Sequence, residues 1–126
     1  MPGSTEAASA DLLGLELVEV TEEGARARIA VAEHHRQPMG LVHGGVFACV
    51  ADSIATLATA RAVDAEGRSA YGLVNQAAFM RPITRGTIHA TARRRHRGRT
   101  TWVWEVEIAD DDGRLCALVR LTVAIR

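Results

Sequence analysis

The first part of the chain contains two strand-like runs, the second of which alternates between hydrophobic and polar residues with a period of two. Residues 15–20 read Leu-Glu-Leu-Val-Glu-Val, and after Glu23-Gly24 the alanines and aliphatic residues of 25–31 alternate with Arg26 and Arg28. A period of two is typical of a strand with one buried face, and a glycine between two such runs favours a tight turn. The pattern therefore predicts a β-hairpin over residues 15–31.

A longer segment with helical spacing follows. Residues 34–43 contain Pro38 and Gly40 and are expected to form a loop. From Gly44 to about Ala62 there is no proline, and apolar residues recur at three- and four-residue steps. These apolar residues are Phe47, Val50, Ile54, Leu57 and Ala58. The pattern predicts one long helix, on which Ala48, Ala51 and Ala55 keep the remaining surface slim enough for a sheet to wrap closely around it.

Four further segments are rich in Val, Ile, Thr, Trp and Phe and are separated by turn residues. They are residues 68–80, 87–97, 101–109 and 115–125, and we expect an antiparallel meander. The order of hairpin, helix and four strands predicts an α+β domain, in which a curved antiparallel sheet of about five to six strands wraps one long central helix. Because such a layer leaves sheet edges uncovered, at least a dimer is expected.

Composition narrows the class of protein. A chain of 126 residues that is 48% hydrophobic and 24% charged fits one globular domain over residues 1–126. Residues 1–4 are expected to be frayed and residues 5–13 to form a short helical turn or two. The apolar runs are shorter than a membrane span requires, and no secretory signal is recognisable, so we expect a soluble, cytoplasmic protein. Cys49 and Cys116 are isolated in apolar stretches, which indicates buried thiols.

The segment from Gln37 to Thr56 carries the candidate chemistry. His43-Gly44-Gly45 lies where the loop becomes the helix, so the first backbone N–H groups have no partner within the helix and suit an anionic oxygen. Asp52 follows on the same helix among apolar residues, where an unpaired carboxylate is costly to bury. Thr56 lies one turn further on and can share its face. A carboxylate near water and amide donors is the minimum equipment for ester or thioester hydrolysis.

This spacing, Gln37-x6-Gly44-x7-Asp52-x3-Thr56, resembles that of the hotdog-fold acyl-CoA thioesterases of the PaaI-like (phenylacetic acid degradation) group. The chain is also similar to the 4-hydroxybenzoyl-CoA thioesterase branch. The resemblance covers roughly residues 15–125 and includes the segment that ends in Phe79-Met80-Arg81-Pro82. It implies hydrolysis of an acyl-CoA to a free acid and coenzyme A, with aryl, arylacetyl or medium-chain acyl groups, and without a metal or redox cofactor.

The resemblance also implies roles for individual residues. Asp52 would be the general base or the nucleophile, and the Gly44 amide would polarise the thioester carbonyl. Gln37 and His43 would contact or support the thioester, and Thr56 would assist the carboxylate or its water. The substrate-binding candidates are Gly45, Phe79, Met80 and Arg81. Trp102 and Trp104 are further candidates to shape the acyl pocket, and strand alternation places both on one sheet face.

In this family the site lies between two subunits, with the acid from one and the loop from the other. The resemblance therefore implies a homodimer with shared active sites that forms a homotetramer, with the acyl-CoA substrate as the small-molecule partner and no nucleic acid or membrane. One family branch carries Glu in place of Asp52, and the other often carries Asn in place of Gln37. The choice between base and nucleophile accordingly stays open at this point.

Other interpretations of these residues remain. Asp52 could pair with an arginine, His43 could simply order the loop, and Gln37 and Thr56 could be structural. A metal site built on the histidines lacks a recognised ligand spacing. At the level of function, the alternatives are a hotdog enoyl-CoA hydratase or dehydratase, with His43 beside Asp52, and a non-catalytic acyl-CoA-binding protein.

Charge is balanced overall but unevenly distributed. The net charge is zero, all fifteen basic residues are arginine, and twelve of them follow residue 60. The run Arg93–Arg99 could bind RNA or the phosphates of coenzyme A, or could be a solvated strand end, which the alternation of side chains favours. A neutral chain gives no case for a nucleic-acid partner.

Overall fold

A computed structural model describes residues 12–126, so the predictions for residues 1–4 and for most of 5–13 lie outside the described residues. The strands are β1 (Leu15–Val20), β2 (Gly24–Ala30), β3 (Ala70–Phe79), β4 (Thr87–Arg97), β5 (Thr101–Ala109) and β6 (Leu115–Ile125). The helix α1 spans Gly44–Val63, and short 3-10 turns cover Glu33–His35 and Asp64–Glu66. The predicted order of hairpin, long helix and four strands is confirmed, with bounds within two residues of those expected.

The six strands form one antiparallel sheet in the order β1-β2-β4-β5-β6-β3. The prediction of a four-stranded meander was therefore wrong, because β3 pairs with β6 and only β4, β5 and β6 follow one another in space. The segment after β3 explains the difference. Ile83 is buried and accepts a hydrogen bond from the Val42 N–H, and Gly86 accepts one from Val31. These contacts carry the chain across to β2, so β4 adds to β2 instead of β3.

Helix α1 packs across the inner face of this sheet with its small residues at the contact. Val50, Ala51, Ile54 and Ala55 are completely buried, whereas Leu57 remains half-buried. The burial of Ala51 and Ala55 agrees with the expectation that small residues let the curved sheet wrap closely around the helix. The helix is long and apolar enough to cross a membrane. Its contacts with the sheet identify it as the core helix.

The two tryptophans lie in the core and not in a ligand pocket. Trp102 and Trp104 are on the same, helix-facing side of β5, as predicted, and both are buried. The Trp104 indole donates to Thr59 Oγ1 over 2.9 Å, and this hydroxyl donates to the Ala55 carbonyl over 2.8 Å. The two tryptophans were candidates to shape the acyl pocket, but both rings are buried in the core, and that of Trp104 packs against the C-terminal half of α1.

Strand β3 is an edge of the sheet and is exposed over most of its length. Tyr71, Leu73 and Val74 are 57%, 62% and 43% exposed. An edge strand presents unpaired N–H and C=O groups and is a template for pairing with another strand. One face of β3 contacts α1. The exposed edge of the sheet therefore lies directly beside the helix that carries the candidate site.

Candidate active site

The N-terminus of α1 presents free backbone amides. His43 is the N-cap, with extended backbone and no side-chain capping hydrogen bond. Its N–H donates to the His35 carbonyl over 2.9 Å, and the Val46 N–H turns back to the His43 carbonyl. Within residues 12–126, the amides of Gly44 and Gly45 have no acceptor. With the positive end of the helix dipole behind them, they can bind the oxygen of a polarised carbonyl.

A tight turn holds Gln37 beside this helix end. The Gly40 N–H donates to the Gln37 carbonyl, the Gln37 N–H donates to Leu41, and Gly40 has a φ of 89°, which favours glycine. Gln37 Oε1 accepts a hydrogen bond from the Met39 N–H. Since the side-chain oxygen Oε1 is occupied within the turn, the side-chain NH₂ group remains as the donor that Gln37 can offer to a ligand.

A mostly apolar cavity of about 410 Å³ opens at the helix tip. It is lined by Gln37, Leu41, Val42, His43, Gly44, Phe47, Phe79, Met80, Arg81 and Pro82. The Phe79 ring lies across Gly44, where a Cβ atom would come within 2.7 Å of it, and its centroid is 6.2 Å from that of Phe47. Glycine at position 44 is therefore required for the aromatic wall of this cavity to stand where it does.

Asp52 lies further along α1 and is not part of that cavity. Its Oδ1 accepts a hydrogen bond from the Thr56 hydroxyl over 3.2 Å. The carboxylate is half-buried, and no arginine or histidine within residues 12–126 forms an ion pair with it. Its close neighbour across from the helix is Gly72 of β3. The acid and the free amides thus form two separate groups along α1.

The structure brings together most of the residues that the sequence singled out, but in two groups. Gln37, His43, Gly44 and the segment 79–81 line the cavity, which we call the helix-tip site. Asp52 and Thr56 form the second group, the carboxylate site, and Gly45 is exposed and lines neither. Sequence reasoning missed Gly72 and Asn75, which contact α1 from β3. A glycine inside a strand pattern is the signal that could have found Gly72, since it often marks a bulge or a close approach.

Charged groups around the helix-tip site are few. Arg81 is exposed at the rim of the cavity and forms no ion pair with any of residues 12–126. Behind the helix tip, His35 is only 2% exposed, and burial lowers the pKa of its imidazole. Its Nε2 donates to the Leu13 carbonyl, while Nδ1 accepts from the Ala32 N–H. A neutral ring is the form that fits both contacts.

The arginine run of β4 is largely used within the fold. Arg94 and Arg97 both reach Glu22, and their guanidinium groups lie 4.9 and 5.3 Å from the Trp102 ring centroid. Arg95 pairs with Glu105 over 3.2 Å. Across residues 12–126, no group of three or more His, Cys, Asp or Glu side chains could hold a metal ion. These contacts favour a structural and solvated role for the run.

Comparison with known proteins decides the family. Residues 39–117 match the model of the thioesterase superfamily. The chain belongs to the thioesterase superfamily. It is 31% identical over 116 residues to a 1,4-dihydroxy-2-naphthoyl-CoA hydrolase of Listeria monocytogenes, covering 92% of this chain and 94% of that one. This family assignment makes the chain a thioester hydrolase and disfavours both the hydratase and the non-catalytic interpretation.

Solved structures of this superfamily share the fold. The thioesterase HI1161 of Haemophilus influenzae superposes with a TM-score of 0.87 at 31% identity, over 94% of this chain and 82% of that one. The PaaI protein of the Escherichia coli phenylacetic acid degradation operon superposes with a TM-score of 0.83 at 28% identity, over 93% and 83%. The predicted hotdog fold and the PaaI-like resemblance are confirmed. Members of this family are generally oligomeric.

Proposed function

We propose that the protein hydrolyses acyl-CoA thioesters in a homodimer whose two active sites each combine the helix-tip site of one protomer with the carboxylate site of the other. The observation that carries this proposal is the arrangement of both groups along the exposed edge strand β3. Gly72, near one end of β3, lies against Asp52, and Phe79, at the other end, lies against Gly44. The unpaired edge runs between them.

Antiparallel pairing of β3 with its copy would join the two half-sites. A pair centred between Asn75 and Gln76 sets Gly72 of one protomer opposite Phe79 of the other, since strand residues pair symmetrically about a two-fold axis. The carboxylate of one helix and the free amides of the other would then face one thioester. The pairing would also cover Leu73 and Val74 of β3, which are exposed in a single protomer. Two such dimers would associate into a tetramer.

Each residue has a part in the proposed reaction. The Gly44 amide, supported by the NH₂ group of Gln37 and by His43, would bind the thioester oxygen as negative charge develops on it. Asp52 would either take a proton from a water that attacks the carbonyl carbon, or attack that carbon itself. In both routes the C–S bond breaks, and the thiolate of coenzyme A leaves and is protonated. In the base route the water oxygen enters the free acid directly. In the nucleophile route the acyl group first forms an anhydride with Asp52, and water then hydrolyses this anhydride to release the acid. Thr56 would hold the carboxylate or the water.

The lining of the helix-tip site supports an aryl, arylacetyl or medium-chain acyl group. Phe47 and Phe79 form an aromatic wall, and Leu41, Val42 and Met80 complete an apolar lining. Aromatic and aliphatic surface of this kind is removed from water when such a group binds. The cation of Arg81 at the rim would meet the phosphates of coenzyme A, and the chemistry needs no metal or redox cofactor. We place this enzyme in the cytoplasm.

The direct test is thiol release from benzoyl-, phenylacetyl-, hexanoyl- and octanoyl-CoA by wild type, Asp52→Asn and Asp52→Ala. Loss of the base or nucleophile is expected to lower kcat by about 10²–10⁴. Asp64→Asn is the matched control, because Asp64 is an exposed acid just past the other end of the helix. Unchanged turnover in both Asp52 variants would remove Asp52 from the mechanism. A single turnover in ¹⁸O-labelled water separates the two routes: a general base places ¹⁸O in the free acid, whereas hydrolysis of the anhydride at its Asp52 carbon places ¹⁸O in Asp52.

A further inference from the structure

Strand β3 lies close against the candidate carboxylate at Gly72. A Cβ atom built on Gly72 would lie 2.5 Å from Asp52 Oδ1, 3.6 Å from Asp52 Cγ and 3.7 Å from Thr56 Oγ1. The first of these distances is well inside van der Waals contact for carbon and oxygen. Any side chain at position 72 would therefore displace the carboxylate from its place beside Thr56.

The backbone of β3 does not itself require glycine at this position. Gly72 is not among the glycines with positive φ, so alanine could adopt its conformation. At such a site alanine normally stabilises a protein, because it restricts the unfolded chain. The requirement for glycine at position 72 thus comes from the Asp52 side chain.

A β-bulge turns Gly72 towards the helix. The pairing of β3 with β6 shifts between Gly72 and Val74, so the extra residue is Leu73. In a regular strand, residues three positions apart face opposite sides of the sheet. The extra residue puts Gly72 and Asn75 on the same side, facing α1. Asn75 Nδ2 donates to the Ala48 carbonyl over 3.0 Å. Ala48 is four residues before Asp52, so this carbonyl also belongs to the helical turn that carries the acid.

We propose that Gly72 is a positioning residue for Asp52, an assignment that rests on the proposed catalytic role of Asp52. The bulge at Leu73 brings the strand backbone against the carboxylate, and the missing side chain leaves room for the rotamer that Thr56 holds. It also leaves open the side of the carboxylate that the substrate would approach. Asn75 fixes the same strand to the same helical turn, so the distance between strand and acid is set from both sides.

This proposal predicts that Gly72→Ala separates activity from stability. The carboxylate is the free end of a short side chain, so it can rotate away from a new methyl group at little cost in folding. We expect Gly72→Ala to lower kcat for thiol release by about tenfold or more, with KM within about threefold of wild type, since loss of a base costs about 10²–10⁴ and displacement costs part of that. The midpoint of urea unfolding should change little.

The control is a second strand glycine without positive φ, Gly24 of β2, which is remote from both half-sites. A Cβ there would lie 3.2 Å from the Ala92 carbonyl oxygen, a backbone atom that cannot rotate away. Gly24→Ala should accordingly lower the unfolding midpoint and leave kcat unchanged, the reverse of the profile for Gly72→Ala.

A double variant tests the contact independently of the reaction. In an Asp52→Ala background the carboxylate is absent, so adding Gly72→Ala should raise the unfolding midpoint. Wild-type kcat in Gly72→Ala, or an equal loss of stability from Gly72→Ala in both backgrounds, would overturn the assignment. Wild-type kcat in Asp52→Asn would instead overturn the proposed function, while the unfolding midpoints would still report whether Gly72 and Asp52 meet.

Discussion

The Thr56 hydroxyl donates a hydrogen bond to Asp52 Oδ1 over 3.2 Å, from one turn further along α1. This contact occupies one oxygen of the carboxylate and leaves the other available. In the absence of an ion pair within residues 12–126, Thr56 is the side chain that orients the acid. A hydrogen bond to a charged group contributes more than one between neutral groups. Thr56 is therefore expected to affect turnover through the orientation of Asp52.

We predict that Thr56→Val lowers kcat about tenfold, equivalent to about 1.4 kcal/mol, because valine keeps the shape of threonine but has no hydroxyl. Thr56→Ser retains the donor and should stay within about threefold of wild type by the same reasoning. The measurement is steady-state thiol release from the best substrate of the acyl-CoA panel. Equal kcat values for the valine and serine variants would show that the hydroxyl does not contribute.

A second prediction concerns Gly44 and Phe79. The helix propensity of alanine exceeds that of glycine by about 1 kcal/mol, but a methyl group at position 44 would meet the Phe79 ring. Gly44→Ala should therefore destabilise the protein when Phe79 is present and stabilise it, by up to about 1 kcal/mol, in a Phe79→Ala background. Urea unfolding of the four proteins gives the comparison. The same sign in both backgrounds would contradict the close contact between ring and helix tip.

A third prediction follows from the lowered pKa of His35. The unfolded chain should bind a proton near the ordinary histidine pKa of about 6.5, whereas the folded state binds it only at lower pH. The contribution of neutral His35 to stability is thus fully present above about pH 6.5 and is lost as the pH falls from there through the folded pKa. Protonation would remove the acceptor for the Ala32 N–H and charge a buried ring.

The check is the midpoint of urea unfolding at pH 7.5, 6.0 and 5.0. His35→Gln should be less stable than wild type at pH 7.5, by about 1–3 kcal/mol for a buried hydrogen bond, and the difference should shrink at pH 5.0. His34→Gln is the control, because His34 is exposed and contacts the neighbouring Leu12 carbonyl. If the difference between wild type and His35→Gln were the same at all three pH values, the buried neutral ring would be ruled out.

The fold could be predicted from the sequence wherever the signal is local. The period of two in residues 25–31, the helical spacing from Gly44 and the turn residues between the later strands each specify an element without reference to the rest of the chain. The position of β3 could not be predicted in this way. It depends on the buried contact of Ile83 with Val42, which is remote in sequence and takes the chain past the helix to β2.

The candidate site was partly predictable for a similar reason. Gln37, Gly44 and Asp52 lie on one loop and one helix, so their spacing carries the information. Gly72 lies in a different element, and its importance arises only when the bulge at Leu73 turns it towards α1. The tryptophans show the opposite case. Alternation placed Trp102 and Trp104 correctly on one face of β5, but only tertiary packing reveals that this face meets the core.

The central claim is that the acid and the free amides of each active site come from different protomers. It can be tested by mixing two variants that are each expected to be inactive. Asp52→Ala lacks the acid, and Gly44→Val carries a branched side chain that would block the helix tip. Half of randomly assembled dimers are hybrids, and each hybrid has one intact site of two. Co-expression in equal amounts should therefore restore about a quarter of wild-type activity.

The matched control co-expresses wild type with the double variant Asp52→Ala/Gly44→Val. If sites are shared, every hybrid has two defective sites, and only the wild-type homodimers are active. The activity per total protein should then be about a quarter of the wild-type value. If each site belongs to one protomer, the hybrids retain one working site and activity should be about half. The decisive measurement is thus the specific activity of the Asp52→Ala and Gly44→Val mixture. Our account predicts about a quarter of the wild-type value, and activity no higher than the sum of the two variants would contradict it.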